Sequence, residues 1–518
     1  MASYHSTRSS SHTCSSREAV RQGLAPDGGL YVSDSLGQTK IDVKGLANRS
    51  YTDLAREIIA LLLPDYTADE IAACVDEAYT NTFSSPELTP IHRVGELADS
   101  EAPLYSLELF HGSTSAFKDV ALQMLPRLMA RTTPVPAKTV PGDMPEQRSS
   151  EAPTERIMIV TATSGDTGKA ALAGFADAPG TGICVFYPEG KVSRVQELQM
   201  TTQQGSNVAV SAVRGTFDDA QSAVKAIFAD TELAERLRAE NIVLSSANSI
   251  NIGRLVPQVV YYFAAYAQLV RAEAIKPGDA VEFCVPTGNF GDILAGYYAR
   301  ELGLPISQLI VASDRNNVLA DFLATGTYDR RRPFFTTSSP SMDILISSNL
   351  ERMLYYLSDN NCELVADLMA KLQHDGVYAI PEELLVKIRS IFSGGWASEE
   401  EVAHAIRDCY ERFGYLIDPH TACAYHVLTQ TQANQSSRAR IMLATASPYK
   451  FPRAVAAALG LHVSEDDFEC MKAVAAKTGT EAPKALAELA TETPRFHDVQ
   501  DIDQLGAYVE QAARMLDA

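Results

Sequence analysis

A chain of 518 residues exceeds what one hydrophobic core ordinarily organises, and at roughly 150 residues per domain it predicts two or three packed units. With 46% hydrophobic and 21% charged residues, the composition is that of a folded globular protein rather than a disordered one. A formal charge of -21 with no dense Lys/Arg stripe excludes nucleic acid as a partner, and no apolar run approaches the ~20 residues that span a bilayer.

The opening stretch, "MASYHSTRSSSHTCSSREAV", is rich in Ser, carries Arg8 and Arg17 and has no acid before Glu18, a pattern shared with transit peptides. It lacks an amphipathic arginine face, so it reads as a mature N-terminus in the cytoplasm. Scattered cysteines from Cys14 to Cys470, none in a C-x-x-C pair, point the same way, to free thiols in a reducing compartment. His420 and His426 lack the spacing and acidic partner of a zinc helix, so no metal is assigned.

Residues 1–95 hold the turn-rich "LAPDGGLYV" and then helical spacing in "YTDLAREIIALLL" and "TADEIAACVDEAY", each led by a Thr or Asp able to cap it. A small, mainly helical leader domain is expected. The helix after Lys118 gives way to five prolines and many small polar residues over Thr132–Arg156, which reads as a disordered surface insertion. Beyond it, short β-branched runs alternate with amphipathic helices ("RIMIVTAT", "ICVFYP", "NVAVSAV", "AVEFCVPT"), the pattern of βαβ units and parallel sheets. The fold class is α/β. A helical segment with charged faces is expected over about 350–410.

Ligands of open α/β sheets sit at the carboxyl ends of strands, and two loops there have the right character. In "PTGNFGD", Gly288 and Gly291 allow close backbone approach, and a helix starting near Asp292 would aim free N–H groups at a phosphate. The same turn also serves as a plain strand-to-helix connection. In "TSGDTG", Thr163, Ser164 and Thr167 with Gly165 and Asp166 suit an oxyanion, or else Ser164 or Asp166 caps the helix. In "HGSTSAFKDVALQ", Lys118 stands at a helix start, where a lysine is ordinarily a solvated surface charge and the dipole disfavours it. That dipole and burial between Phe117 and Val120 would also lower its pKa, as an amine that attacks an aldehyde requires.

A Schiff-base lysine, a phosphate cradle and an oxyanion loop together describe a pyridoxal phosphate site. Nine stretches in order, "LAPDGGLYV", "HGSTSAFKDVALQ", "TSGDTGKAA", "YPEGKVSRVQELQMTT", "ANSINIGRLVPQVVYYF", "PTGNFGDILAGYYA", "PSMDILISSNLERMLYYL", "IDPHTACAY" and "LATASPYKFP", resemble the longer type of the threonine synthase family. That family lies within the tryptophan-synthase-β-like, fold type II pyridoxal phosphate enzymes. The resemblance implies an N-terminal domain over 1–95 and a catalytic region over 96–518 of two α/β subdomains, one of them mobile over about 106–250. The 132–156 insertion and the last thirty or so residues lie outside it.

By this resemblance Lys118 carries the cofactor, Gly288, Asn289, Phe290 and Asp292 hold its phosphate, and the Thr445 hydroxyl faces its ring nitrogen. Thr163, Ser164, Gly165, Asp166 and Thr167 would grip the substrate α-carboxylate. Lys191, Arg194 and Arg254 are offered for the substrate phosphate, Arg254 preferred. The implied reaction turns O-phospho-L-homoserine and water into L-threonine and phosphate, with Lys118 as general base. Ser447 stands where the family leads one to expect histidine, and Ile252 and Gly253 where bulkier residues are expected. A phospholyase releasing a 2-oxo acid, and a non-catalytic metabolite-binding relative, are the alternative readings, and both monomer and homodimer remain open.

Overall fold

Runs such as "TGICVFYP" and "VEFCVP" suit strands covered on both faces, and in the computed structural model both are buried end to end. The structure describes residues 4–97, 102–132, 155–163, 165–430 and 438–515. In chain order the strands are β1 (Tyr4–Ser6), β2 (Ser9–Cys14), β3 (Tyr31–Ser33), β4 (Ile91–Glu96), β5 (Pro103–Glu108), β6 (Arg156–Ala162), β7 (Thr181–Pro188) and β8 (Val208–Val213). They continue as β9 (Ile242–Ser245), β10 (Val281–Pro286), β11 (Ile306–Ser313), β12 (Thr327–Asp329), β13 (Val377–Ala379), β14 (Phe392–Trp396), β15 (Arg440–Ala444) and β16 (Asp498–Gln500).

Two larger sheets carry the α/β fold. A six-stranded sheet runs β14-β11-β10-β15-β5-β4, parallel except where β4 pairs antiparallel with β5. A five-stranded sheet, β16-β8-β7-β6-β9, is parallel throughout. The helix Ile252–Arg271, buried from Ile252 to Leu269, shares one apolar core with the helix that Lys118 begins and with the N-terminal segment.

The N-terminal segment is mainly helical, as expected, and adds a small sheet that the sequence does not show. Tyr4–Ser6, Ser9–Cys14 and Tyr31–Ser33 form an antiparallel sheet, order β2-β1-β3, whose strands are too short and too polar to show an alternating pattern. The caps of its two long helices are Ser50 and Thr67, each in a reciprocal pair with the acid three residues on, Asp53 and Glu70. Arg352, fully buried, joins this sheet to the rest by donating to the Tyr31 carbonyl at 3.0 Å, the Ile250 carbonyl at 2.7 Å and Asn349 Oδ1 at 2.5 Å.

Within 350–410, four helices are interrupted by β13 and β14, and β14 forms the edge of the six-stranded sheet through Leu309↔Phe392 to Ser313↔Trp396. Its "FSGGW" has two glycines and no apolar alternation, which hides it. The end of the chain is structural too. β16 pairs in parallel with β8, and the helix Leu505–Arg514 buries Leu505, Val509 and Ala513 in the cluster that holds Phe186 and Val213. The disordered insertion expected over Thr132–Arg156 falls almost wholly on 133–154, outside the described residues.

Candidate active site

Lys118 is the first residue of the helix Lys118–Ala130, which no side chain caps. The loop before it follows the end of β15. Leu109 N donates to the Ala444 carbonyl at 3.0 Å, Phe117 N to Thr445 at 2.8 Å, and Ser447 N to Ser115 at 3.1 Å. Asp119, buried, fixes the loop by accepting from Thr114 N at 2.8 Å and Thr114 Oγ1 at 2.6 Å. The amine of Lys118 is turned inward, 6% exposed. Its Nζ donates to Ser341 Oγ at 3.1 Å, lies 3.7 Å from Asp166 Oδ2 and stands 4.8 Å from the Phe117 ring centre. Burial is the main cause that lowers its pKa from 10.5 to about 8. Asp166 and Asp119 oppose the change, and Arg254 and Lys450 assist it.

Asp166 opens the helix Asp166–Phe175 at the carboxyl end of β6 and receives donors from three directions. Lys450 Nζ lies 2.8 Å from Oδ1, Gln196 Nε2 donates to Oδ1 at 3.1 Å, and Ser341 Oγ donates to Oδ2 at 3.2 Å. Burial pushes the Asp166 pKa up, yet the Lys450 and Lys118 charges outweigh it and hold the carboxyl well below the usual range. The helix start is satisfied instead by Thr163, whose Oγ1 accepts from Gly165 N at 3.0 Å and Gly168 N at 2.9 Å. Asp166 is therefore no cap. Gly165, at φ 138°, carries no Cβ where one would fall 2.4 Å from the Gln196 amide. Thr167 is half-buried in the same first turn, and Ser164 lies outside the described residues.

The second loop follows β10. Phe290 takes φ 61°, unusual for a bulky residue, with its ring buried 5.5 Å from that of Phe392. The helix Gly291–Glu301 then starts with no side-chain cap, so its first N–H groups are available to an anion. A Cβ on Gly288 would meet the Ser341 carbonyl at 2.8 Å. The Asn289 carbonyl accepts from Asn349 N at 3.0 Å and Asn349 Nδ2 at 3.1 Å. Asp292 accepts at Oδ1 from Tyr261 and, at 3.3 Å, from Tyr262, while its Oδ2 is buried without a partner among the described residues. Burial raises the Asp292 pKa from 3.8 to about 7 against the two tyrosines and Lys118. Thr445, at the end of β15, is 5% exposed.

The three basic residues separate. Arg254, in the first turn of Ile252–Arg271, is 4% exposed, donates from Nη1 to the Ala247 carbonyl at 2.8 Å, and pairs with no carboxylate among the described residues. Burial lowers its pKa from 12.5 to about 10. Lys191 is exposed, and Arg194, also exposed, is paired with Glu197 at 2.7 Å. Neither shares a hydrogen bond or ion pair with the Lys118 group.

Three participants are not singled out by the sequence: Ser341, Lys450 and His420. Ser341 touches both halves, its Oγ against Lys118 and Asp166 and its carbonyl against Gly288. His420 Nε2 accepts from Ser341 N at 3.2 Å, which puts the ring proton on Nδ1, 2.6 Å from Asp418 Oδ2. "PSM" and "DPHT" stand inside the resembling stretches, but nothing local to them marks a contact with Lys118. Among the described residues no His/Cys/Asp/Glu group suits a metal ion.

An inward amine of lowered pKa, a glycine cradle closed by Ser341, an uncapped helix start and an orphaned Asp292 oxygen fit an aldehyde cofactor with an anionic tail. Residues 84–445 match the family model for pyridoxal-phosphate dependent enzymes, and the cofactor is pyridoxal phosphate. Residues 3–79 match the model for the threonine synthase N terminus and 421–509 that for the threonine synthase C-terminal region. The chain belongs to the threonine synthase family. It is 38% identical over 485 residues to a threonine synthase of Eremothecium gossypii, covering 90% of each chain. It is 37% identical over 457 residues to human threonine synthase-like 1, covering 85% of this chain and 58% of that one. The solved pyridoxal phosphate-bound threonine synthase of Brucella melitensis superposes with a TM-score of 0.84 at 36% identity, over 99% of this chain and 100% of that one.

Proposed function

We propose that the chain converts O-phospho-L-homoserine and water into L-threonine and phosphate, by loss of the γ-phosphate and addition of water at the β-carbon. One observation carries this reading: a buried guanidinium without a counter-ion among the described residues, Arg254, accompanies a buried amine primed for an aldehyde, Lys118. A substrate with an amine at one end and a phosphate at the other meets both needs.

In this reading Lys118 would hold the cofactor and, when its Nζ is free, would take the α-proton and return protons further along the substrate. The bound cofactor supplies the electron sink for the charge left at the α-carbon. Thr445 would face the ring with a neutral hydroxyl, which stabilises a protonated ring nitrogen less than a carboxylate does. Gly288, Asn289, Phe290 and Asp292 would receive the cofactor phosphate through backbone N–H groups. Asp292 suits that place better than an ordinary carboxylate, because burial raises its pKa to about 7 and leaves it only partly ionised near neutral pH. The substrate carboxylate is assigned to the loop of Thr163, Ser164, Gly165 and Thr167, where the Thr167 hydroxyl and N–H groups other than that of Gly165, which donates to Thr163 Oγ1, would serve. Asp166 belongs beside them as the partner of amines, since its anionic oxygens repel a carboxylate. Arg254 takes the substrate phosphate, and Lys191 and Arg194 would reach it only by moving in from the surface.

Incubating the purified holoenzyme with O-phospho-L-homoserine and measuring phosphate and threonine together tests the reading. Equal yields support it. Phosphate accompanied by a 2-oxo acid and ammonia would make the chain a phospholyase instead. All eight cysteines are free thiols, which supports a reducing, cytoplasmic location.

A further inference from the structure

Lys450 has no role in the reaction as described, yet its ammonium is fully buried at the core of the site. It follows β15 in the turn Pro448–Lys450, five residues after Thr445. Two partners hold it: Asp166 Oδ1 at 2.8 Å and the Thr114 carbonyl at 3.0 Å. The second belongs to the loop that leads to Lys118, and Gln199 Nε2 donates to the same carbonyl at 3.2 Å. Asp166 thus stands between two lysines but serves them unequally, 2.8 Å from Lys450 and 3.7 Å from Lys118. Gln196 at 3.1 Å and Ser341 at 3.2 Å supply its remaining donors.

We propose that Lys450 is a positioning residue. By holding Asp166 and the Thr114 carbonyl it keeps the carboxylate paired with Lys118 from closing on it, so that the Lys118 amine stays free to add to the cofactor aldehyde. In that step Lys118 Nζ, as neutral amine, bonds to the aldehyde carbon, the carbonyl oxygen leaves as water with the two amine protons, and C=N replaces C=O. The inference rests on the reading of Lys118 as the cofactor lysine.

The charges that face Lys118 come from every element around it. Asp119 lies on its own helix, Asp166 on Asp166–Phe175, Arg254 on Ile252–Arg271, Asp292 on Gly291–Glu301, and Lys450 on its turn; His420 acts on Asp166, and Lys169 on Asp119 and Lys450. Removing Lys450 withdraws one repelling cation from Lys118 and releases Asp166 toward it, and both changes favour the protonated amine. The sign is therefore fixed: Lys118 should ionise at higher pH, and cofactor capture should need more alkaline solution.

The test follows the rate at which cofactor-stripped protein recombines with pyridoxal phosphate, read by absorbance across the neutral and alkaline range, with borohydride reduction and mass mapping of the labelled lysine. Lys450→Met is expected to move the midpoint of the rate profile upward and to slow capture at neutral pH about tenfold for each pH unit moved. Lys450→Arg, which keeps the charge, should restore the wild-type midpoint. A merely structural role would lower the rate at every pH without moving the midpoint, and an unmoved midpoint in Lys450→Met overturns the proposal. Should Lys450→Met not fold, Asp166→Asn decides: loss of the carboxylate should shift the midpoint downward, and no shift refutes the inference. A borohydride label on another lysine in the wild-type chain would instead defeat the reading of Lys118, independently of Lys450.

Discussion

Replacing Arg254 by methionine should have opposite effects on the empty fold and on substrate binding. The guanidinium is 4% exposed, with one carbonyl as its described partner. The gap between 12.5 and about 10 in its pKa corresponds to about 3 kcal/mol against the charged form. A cation whose pKa falls on folding destabilises the fold at every pH below its folded value, so this cost is present in full at neutral pH and fades only as pH rises through about 10. Arg254→Met retains most of the side-chain volume and removes the charge, so the ligand-free protein should melt at a higher temperature or at least not lower. The same change withdraws the counter-ion of a desolvated phosphate, a loss of about 2–5 kcal/mol, or roughly 30-fold to several-thousand-fold in kcat/KM. Thermal melts with and without O-phospho-L-homoserine, alongside initial rates, separate the two effects. A variant that binds phosphohomoserine as tightly as the wild type would refute the assignment of Arg254.

Other changes test the remaining parts of the site and its supports. Gly288→Ala places a methyl 2.8 Å from the Ser341 carbonyl, where backbone cannot yield cheaply, and should cost about 1–3 kcal/mol in urea melts as well as cofactor affinity measured by absorbance titration. Asp292, with a pKa raised from 3.8 to about 7, favours the fold below pH 3.8 and loses that advantage as pH rises through about 7, an effect of about 4 kcal/mol. Asp292→Asn in cofactor-free protein should flatten this decline, which urea melts at several pH values would show. Leu505→Ala empties a fully buried position against the five-stranded sheet and should destabilise by about 2–5 kcal/mol, read as a lower urea midpoint.

What the sequence reveals of this site follows from how local each signal is. Lys118, the "TSGDTG" loop and the "PTGNFGD" loop are each a short run at a strand or helix end, so composition and spacing expose them. Arg254 stands out only because the helix that follows it is apolar enough to bury its first turn. Ser341 reaches Lys118, and Lys450 reaches Asp166, across more than two hundred residues of chain, and a serine or lysine in a turn carries no trace of such a meeting. Oxyanion-loop chemistry also misleads about Asp166, because its two lysine neighbours arrive from other parts of the chain. The alternation of β6 to β9 is legible, whereas β2, β14 and β16 are polar, glycine-bearing or very short, and they are recognised only by the strands they pair with.

The pairing of β16 with β8 sets an order on biosynthesis. Asp498–Gln500 and the helix after it are synthesised long after β8, so this edge of the sheet closes late. Until that segment arrives, β8 presents an open edge and the cluster around Phe186 lacks its cover. Nascent chains stalled before Asp498 are thus expected to expose a sticky parallel sheet, and it is this half of the enzyme that chaperones have to shield.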